Sequence, residues 1–203
     1  MSLNGAFNPR MLQSKRLILA SASPRRKELL STLVSNFEIF APQVNEIYPP
    51  YISGKAIPEY LSLLKINAVK PQFSNDTFIL CADTVVLLDG EVLEKPQNRL
   101  EAIQMLHKLS GKHHEVVTAI AWSFKGKEEV CSDSTTVYFK ELSSAEIEYY
   151  VDTFKPYDKA GSYGIQDWIG QIGIHRIDGS FYTVMGLPVH LVYSVLQREL
   201  GTT

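Results

Sequence analysis

Residues 77–93 read TFILCADTVVLLDGEVL. From Thr77 to Leu88 the run is apolar and β-branched, interrupted by a single carboxylate, Asp83, which is the composition of a buried strand. Asp89-Gly90 then supplies two residues that tolerate positive φ, so the chain turns back through a type I′ hairpin into Glu91–Leu93. A buried strand that ends in a tight hairpin argues for a mixed sheet over the parallel sheet of a doubly wound fold.

Upstream of this segment, Arg16 to Ala22 (RLILASA) reads as a short buried strand that runs into Ser23-Pro24. Serine as N-cap and proline at the first helical position open a helix there, continuing through Leu29, Leu30 and Leu33. Residues 48–58 form a proline-bearing loop, and Pro58 opens a second helix with Leu61, Leu64 and Ala68 at helical spacing. Downstream, Asn98 and Glu101 give a capping-box pattern for a helix bearing Leu100, Ile103, Leu106 and Leu109, ended by Gly111. His114–Phe124 and Glu128–Phe139 read as a hairpin about Lys125-Gly126-Lys127. Ser143 with Glu146 caps a helix through Ile147, Tyr150 and Val151. Gly173–Ile177 and Ser180–Val184 read as a further hairpin about Asp178-Gly179, and Leu187-Pro188 opens a last helix ending near Leu200. Strands interleaved with helices, several joined by hairpins, predict an α/β fold whose mixed sheet is flanked by helices.

Composition sets the outer bounds. With 45% hydrophobic residues the chain has enough apolar surface to fold, which excludes intrinsic disorder. Twenty Lys+Arg against 22 Asp+Glu leave a net charge of −2, so no global basic field recruits nucleic acid. The two cysteines, Cys81 and Cys131, have neither disulfide-framework nor metal spacing, and a reducing cytoplasm is the expected setting. No apolar run approaches the roughly 18 residues of a membrane span. Residues 1–15 read as a flexible leader, with Met11 as an alternative start, and 16–203 as a single domain.

Two anomalies point to chemistry. Arg25, Arg26 and Lys27 crowd the first turn of a helix, where the macrodipole disfavours each by about 0.3–1 kcal/mol. An anion bound there by Ser21, Ser23, the backbone amides and the arginine forks would reverse the sign; a solvated basic turn is the bland alternative. Asp83 is the second: a buried carboxylate needs a cation, a metal or an open cleft edge, unless it only ties down a neighbouring loop. Strand alternation puts it on the face shared by Cys81 and Val85, with Thr84 on the other. Lys95, just after the hairpin, is placed to swing toward Asp83; Lys65 sits on an otherwise apolar helix and Glu46 in the loop after Phe40. Each of these three, taken alone, is better explained as a surface charge than as a catalytic one. Residues 158–166 (DKAGSYGIQ) have the glycines and charge, Lys159 included, of a loop approaching a ligand, and a mere turn between elements explains them nearly as well. The chain has no GxxxxGK[ST], GxGxxG or GxSxG motif, and its five histidines lack metal spacing. Any metal would be a hard cation on carboxylates and phosphate.

Taken together, LILASASPRRKELL (17–30), ADTVV (82–86), EKPQNRLEAIQMLHKLSGKHHEVVTAIA (94–121), DKAGSYGIQ (158–166) and DGSFYTVMGLP (178–188) resemble the Maf family of nucleoside triphosphate pyrophosphatases. The resemblance spans about Leu17 to Leu196 and implies the Maf and inosine-triphosphatase-like fold: an elongated mixed sheet with helices and a central cleft between two lobes. It implies hydrolysis of a nucleoside triphosphate to monophosphate and pyrophosphate with Mg²⁺ or Mn²⁺, held by Asp83 and Glu46. Asp83 matches the proton acceptor; Glu46, Lys65 and Lys95 match polar cleft positions; Arg25, Thr84 and Gln166 match positions of base selectivity. In the mechanism that follows, Ser21, Ser23, Arg26 and Lys159 join Arg25 around the substrate. DKAGSYGIQ looks like the branch acting on dTTP and UTP, with 5-modified uridine triphosphates as further substrates and nucleotide-pool cleaning as the role. Another base preference (7-methyl-GTP or ITP) and a weakly catalytic regulator of septum formation are the competing expectations. The partner expected is the nucleotide alone, without nucleic acid or membrane; monomer and homodimer both stay open. Two positions depart from the family pattern: Glu94 replaces a glycine before Lys95-Pro96, and Cys81 replaces a glycine before Ala82.

Overall fold

The structure, a computed structural model, describes residues 15–201; the expected leader lies outside them apart from Lys15. The chain order is β1 (Leu17–Leu19), α1 (Pro24–Ser31), β2 (Glu38–Ile39), α2 (Ala56–Val69), β3 (Phe78–Leu88), β4 (Glu91–Leu93) and α3 (Arg99–Leu109). Then come β5 (His113–Phe124), β6 (Lys127–Phe139), α4 (Ser144–Phe154), α5 (Trp168–Gly173), β7 (Ile174–Asp178), α6 (Phe181–Met185) and α7 (Val189–Leu200). The strands make one seven-stranded mixed sheet in the order β2-β1-β3-β5-β6-β7, with β4 also on β3. The pairs β1–β2 and β1–β3 are parallel and the rest antiparallel. No helix among the described residues is long and apolar enough to cross a membrane.

β3 positions everything else. One of its edges pairs with β5 along Ile79–Leu87. Its other edge takes β1 at Phe78–Leu80 and β4 at Val86–Leu88. Between these, residues 81–85 have no strand partner on that edge among the described residues. A sheet that exchanges one neighbour for another leaves a crevice at the exchange, where open α/β sheets bind ligands. Asp83 and Thr84 sit in that gap.

Side-chain alternation sorts the helices. Ile79, Cys81, Val85 and Leu87 point to the face covered by α2, where they meet Ile66 and Val69 at one end and Ile57 and Leu61 at the other. The opposite face carries two cores. Phe78, Leu80 and Ala82 pack with Leu29 and Leu30 of α1 and Val192, Val195 and Leu196 of α7; Val86 and Leu88 pack with Leu106 of α3 and Ile147 and Tyr150 of α4. Thr84 falls between them, so the two lobes are two cores on one face of a shared sheet.

The local signals largely hold. Asp89-Gly90 and Lys125-Gly126 both have positive φ and make the tight hairpins, although the second turn excludes Lys127, which belongs to β6. Ser143 and Glu146 form a full capping box. At α3 only half of it exists: Asn98 accepts from the Glu101 amide, while Glu101 reaches Gln97 N–H and the Asn98 side chain. α1 ends at Ser31, before Leu33, and Pro58 lies inside the first turn of α2 rather than at its start. β1 is shorter than Arg16–Ala22, because the chain leaves the sheet to reach Ser21. The expected strand over Ser180–Val184 is helix α6. Its start is tied to β6, with Ser180 N–H donating to Thr135 Oγ1 and the Thr135 hydroxyl donating to Ser180 O, so the segment crosses the sheet face and does not pair with β7.

Helix α5 fixes the loop before it through a close backbone approach. A Cβ on Gly170 would lie 2.0 Å from the Ile165 carbonyl oxygen. Gly170→Ala is therefore expected to lower unfolding free energy by about 2–3 kcal/mol in urea titration; an unchanged midpoint would show that the loop yields freely.

Candidate active site

The crevice beside β3 is a cleft of about 490 Å³. Its walls come from the α1 start, the loop carrying Glu46, α2, the Glu94-Lys95 segment, the 158–166 loop and the end of α6. Each element arrives there by the packing just described.

On the α2 face, Lys65 lies one helical turn from the apolar residues that hold the helix to β3. Its ammonium pairs with Asp83 and, at 3.0 Å, with Glu46. Lys65 and Asp83 are 5% and 6% exposed, so neither charge has water enough to stand alone. Burial works against the Glu46 charge, but the Lys65 ammonium, with Lys95 and Arg26, outweighs it and holds this carboxyl below the usual range. Lys95 does not pair with Asp83 as its position suggested; it is exposed at the cleft wall and acts on Glu46.

The crowded start of α1 resolves into three different fates. Ser23 caps the helix through the Arg26 amide, and the Ser21 hydroxyl accepts from the Ser23 amide. Arg25 crosses to the 158–166 loop and pairs with Asp158 at 2.7 Å. Arg26 turns inward: Nε donates to Gly186 O at 2.8 Å, Nη2 to Thr84 Oγ1 at 3.1 Å and Nη1 to Ser21 Oγ at 3.5 Å. Burial lowers the affinity of that guanidinium for its proton, with Asp83 opposing. Lys27 stays in solvent.

The 158–166 loop is held under strain. Gly161 has φ of +67°, and a Cβ there would press on Val86 at 3.1 Å; Ser162 follows at φ +63° although fully buried. Lys159 is tied to Asp158 at 2.8 Å and lies 3.8 Å from Asp167. Tyr163 shares a 2.7 Å hydrogen bond with His114 Nε2, and burial pushes His114 down to about 4, so the ring is neutral. Gln166 donates from Nε2 to Asp167, while its Oε1 is buried without a partner. Gln166 lines the cleft, and its closed Oε1 is a polar group still without a donor.

Apart from Lys27, the residues singled out from sequence therefore line one cleft: Ser21, Ser23, Arg25, Arg26, Glu46, Lys65, Asp83, Thr84, Lys95, Lys159 and Gln166. Sequence reasoning gave no role to Asp158, which neutralises Arg25 and Lys159, or to His114 and Asp167, which support the loop. Asp158 had a visible signal, a carboxylate beside a lysine at the start of a glycine-bearing loop. Of the two departures, the Cys81 thiol is buried, pushed up to about 12 by that burial, and donates to Ala20 O; it fills space. Glu94 lines the cleft and, together with burial, raises the Tyr48 hydroxyl. Among the described residues no group of three His, Cys, Asp or Glu forms a metal cage.

Comparison with known proteins agrees with the family resemblance and the fold. Residues 16–199 match the family described as Maf-like protein. A dTTP/UTP pyrophosphatase of Porphyromonas gingivalis is 49% identical over 189 residues, covering 92% of this chain and 95% of that protein. One from Christiangramia forsetii is 41% identical over 192 residues, covering 95% and 98%. Among solved structures, the Ham1 protein of Staphylococcus aureus superposes with a TM-score of 0.50 at 15% identity, covering 91% of this chain and all of that one, which shows a shared fold.

The buried ion pair makes a stability prediction. Lys65→Met strands the Asp83 carboxylate, which costs about 3–5 kcal/mol. Urea titration of the variant against wild type checks this; an unchanged midpoint would mean that Asp83 has found another partner.

Proposed function

The chain belongs to the Maf family, and on that premise we propose that its cleft hydrolyses dTTP and UTP to the monophosphate and pyrophosphate. The observation that carries the reading is Asp83, a buried carboxylate fixed by Lys65 in the same cleft as a cation-rich helix start. We read residues 16–203 as one catalytic unit, in keeping with a family match over 16–199 and a single sheet.

In this reading the triphosphate lies against the α1 start and exchanges places with Asp158, whose carboxylate already engages Arg25 and Lys159. Ser21 donates its own hydroxyl proton, since its present contacts are both accepted. Ser23 acts by capping the helix that presents the amides. Asp83 orients the attacking water and takes its proton; Lys65 orients Asp83 and Glu46. Attack at the α-phosphorus expels pyrophosphate, whose growing charge Arg26 and Lys95 offset.

The cleft is lined by five cationic and four acidic side chains, a net of +1 that falls short of a triphosphate's charge. A divalent cation fits this donor set: Glu46 and Asp83 are hard oxygen ligands, and Mg²⁺ or Mn²⁺ takes one or two carboxylates with phosphate oxygens and water. When bound, such an ion supplies neutralisation of phosphate charge. At the base end, Gln166 turns its closed, unpartnered Oε1 to the N–H that uracil and thymine present between two carbonyls, and cytosine lacks that N–H, which leaves a polar group unpaired at about 1–3 kcal/mol.

Pyrophosphate release across the common nucleoside triphosphates, 7-methyl-GTP and ITP tests the reading. dTTP and UTP should lead CTP, ATP and GTP, and 5-methyl-UTP should be accepted. A lead for 7-methyl-GTP or ITP rejects the base assignment, and no release from any rejects the enzyme. Asp83→Asn should lower turnover of UTP by about 10²–10⁴-fold with the fold retained, as expected for loss of a general base; a near-native rate at saturating metal would remove Asp83 from that role.

A further inference from the structure

Thr84 and Thr118 face each other across β3 and β5, and their hydroxyl oxygens are 2.9 Å apart. Their neighbours force the direction of that bond. Thr118 is fully buried and donates to Thr183 O at 2.7 Å, because a carbonyl can only accept. Its single proton is thereby used, so Thr84 is the donor of the pair. Arg26 Nη2, which can only donate, gives to Thr84 Oγ1. The order is fixed: Arg26 to Thr84, Thr84 to Thr118, Thr118 to Thr183.

The chain closes on itself. Thr183 belongs to α6, which is capped by Gly186, and Gly186 O is the acceptor of Arg26 Nε–H at 2.8 Å. Thr118 therefore stands behind the two shorter of the guanidinium's three hydrogen bonds, one through a hydroxyl and one through the helix, while the third goes to Ser21. Guanidinium donors left over from these anchors are aimed by them. Thr84, with its proton directed into the sheet, meets the cleft as an acceptor only.

We propose that Thr118, which does not line the cleft, is a positioning residue that sets Arg26 for the polyphosphate chain through Thr84 and α6. The proposal rests on the reading of the cleft as a triphosphate site. Inorganic tripolyphosphate binding, followed by calorimetry on the full chain, separates the two, because it needs no turnover. Thr118→Val, nearly isosteric, should weaken tripolyphosphate about tenfold and lower kcat/KM for UTP about tenfold or more, because Arg26 meets both the bound polyphosphate and the charge that grows on it. Thr118→Ser should restore wild-type values. Thr84→Val combined with Thr118→Val should be weaker than Thr84→Val alone by less than the factor that Thr118→Val costs by itself, since the two share the hydroxyl line and only Thr118 also reaches α6. Should the valine variant fail to fold, Thr118→Ala carries the same readings.

Unchanged binding in Thr118→Val, a serine variant as weak as valine, or additive effects would each overturn the proposal. Wild-type protein that binds tripolyphosphate but releases pyrophosphate from no nucleotide would reject the hydrolase reading while leaving the Thr118 comparison to be decided by binding. Failure of wild type to bind tripolyphosphate would overturn both.

Discussion

A carboxylate in the middle of a strand buried on both faces has to find a cation, and Asp83 finds Lys65. The geometry of the molecule is organised around that meeting. β3 exchanges β1 for β4 along one edge and leaves residues 81–85 open there, which makes room for a cleft. α2 runs along the face that Asp83 points to, held by Ile57, Leu61, Ile66 and Val69, and so brings one lysine to one carboxylate inside an apolar surface. Sharing Lys65 with Glu46 adds a second acidic group without a second buried cation. Such a pair contributes little net stability compared with apolar packing. Its persistence makes sense as chemistry.

The opposite side of β3 solves a different problem. Ala82 ends one core and Val86 begins another, and between them Thr84, Thr118 and Thr183 carry a line of hydrogen bonds where apolar packing would otherwise run on. That line reaches Arg26 and lets a half-buried guanidinium sit at a helix start that ordinarily repels it. Asp158 does the complementary task for Arg25 and Lys159 from the far wall. Apart from Lys95, the cations of the cleft are thus held in place by carboxylates and hydroxyls, and in the proposed reading Arg26 and Lys65 keep those partners when charge develops.

Much of this was legible in the sequence, for definite reasons. Caps, turn pairs and apolar spacing located most elements, because Ser143-Glu146, Asp89-Gly90 and the Leu-rich faces act locally. Ser180–Val184 misled because FYTV has strand composition, while its conformation is set by Thr135, forty-five residues earlier. β2, with two residues, and α5, with six, are too short to show a period. In the site, charges in apolar surroundings were visible as anomalies, and the family resemblance named the rest of the cleft-lining set. Their partners were not visible. Arg25 and Asp158 are 133 residues apart, and nothing in the spacing of either marks the other. Thr118 looks like any threonine in a β-strand; only the register that sets it opposite Thr84 gives it a task.

The chemistry of the cleft turns on where water attacks. If Asp83, on the cleft floor with Lys65, directs water to the α-phosphorus, hydrolysis of UTP in ¹⁸O-labelled water must place the label in the monophosphate, as read by mass spectrometry of the products. Label found in pyrophosphate instead would mean attack at the β-phosphorus, and neither Asp83 nor the α1 start would then have the role assigned to it.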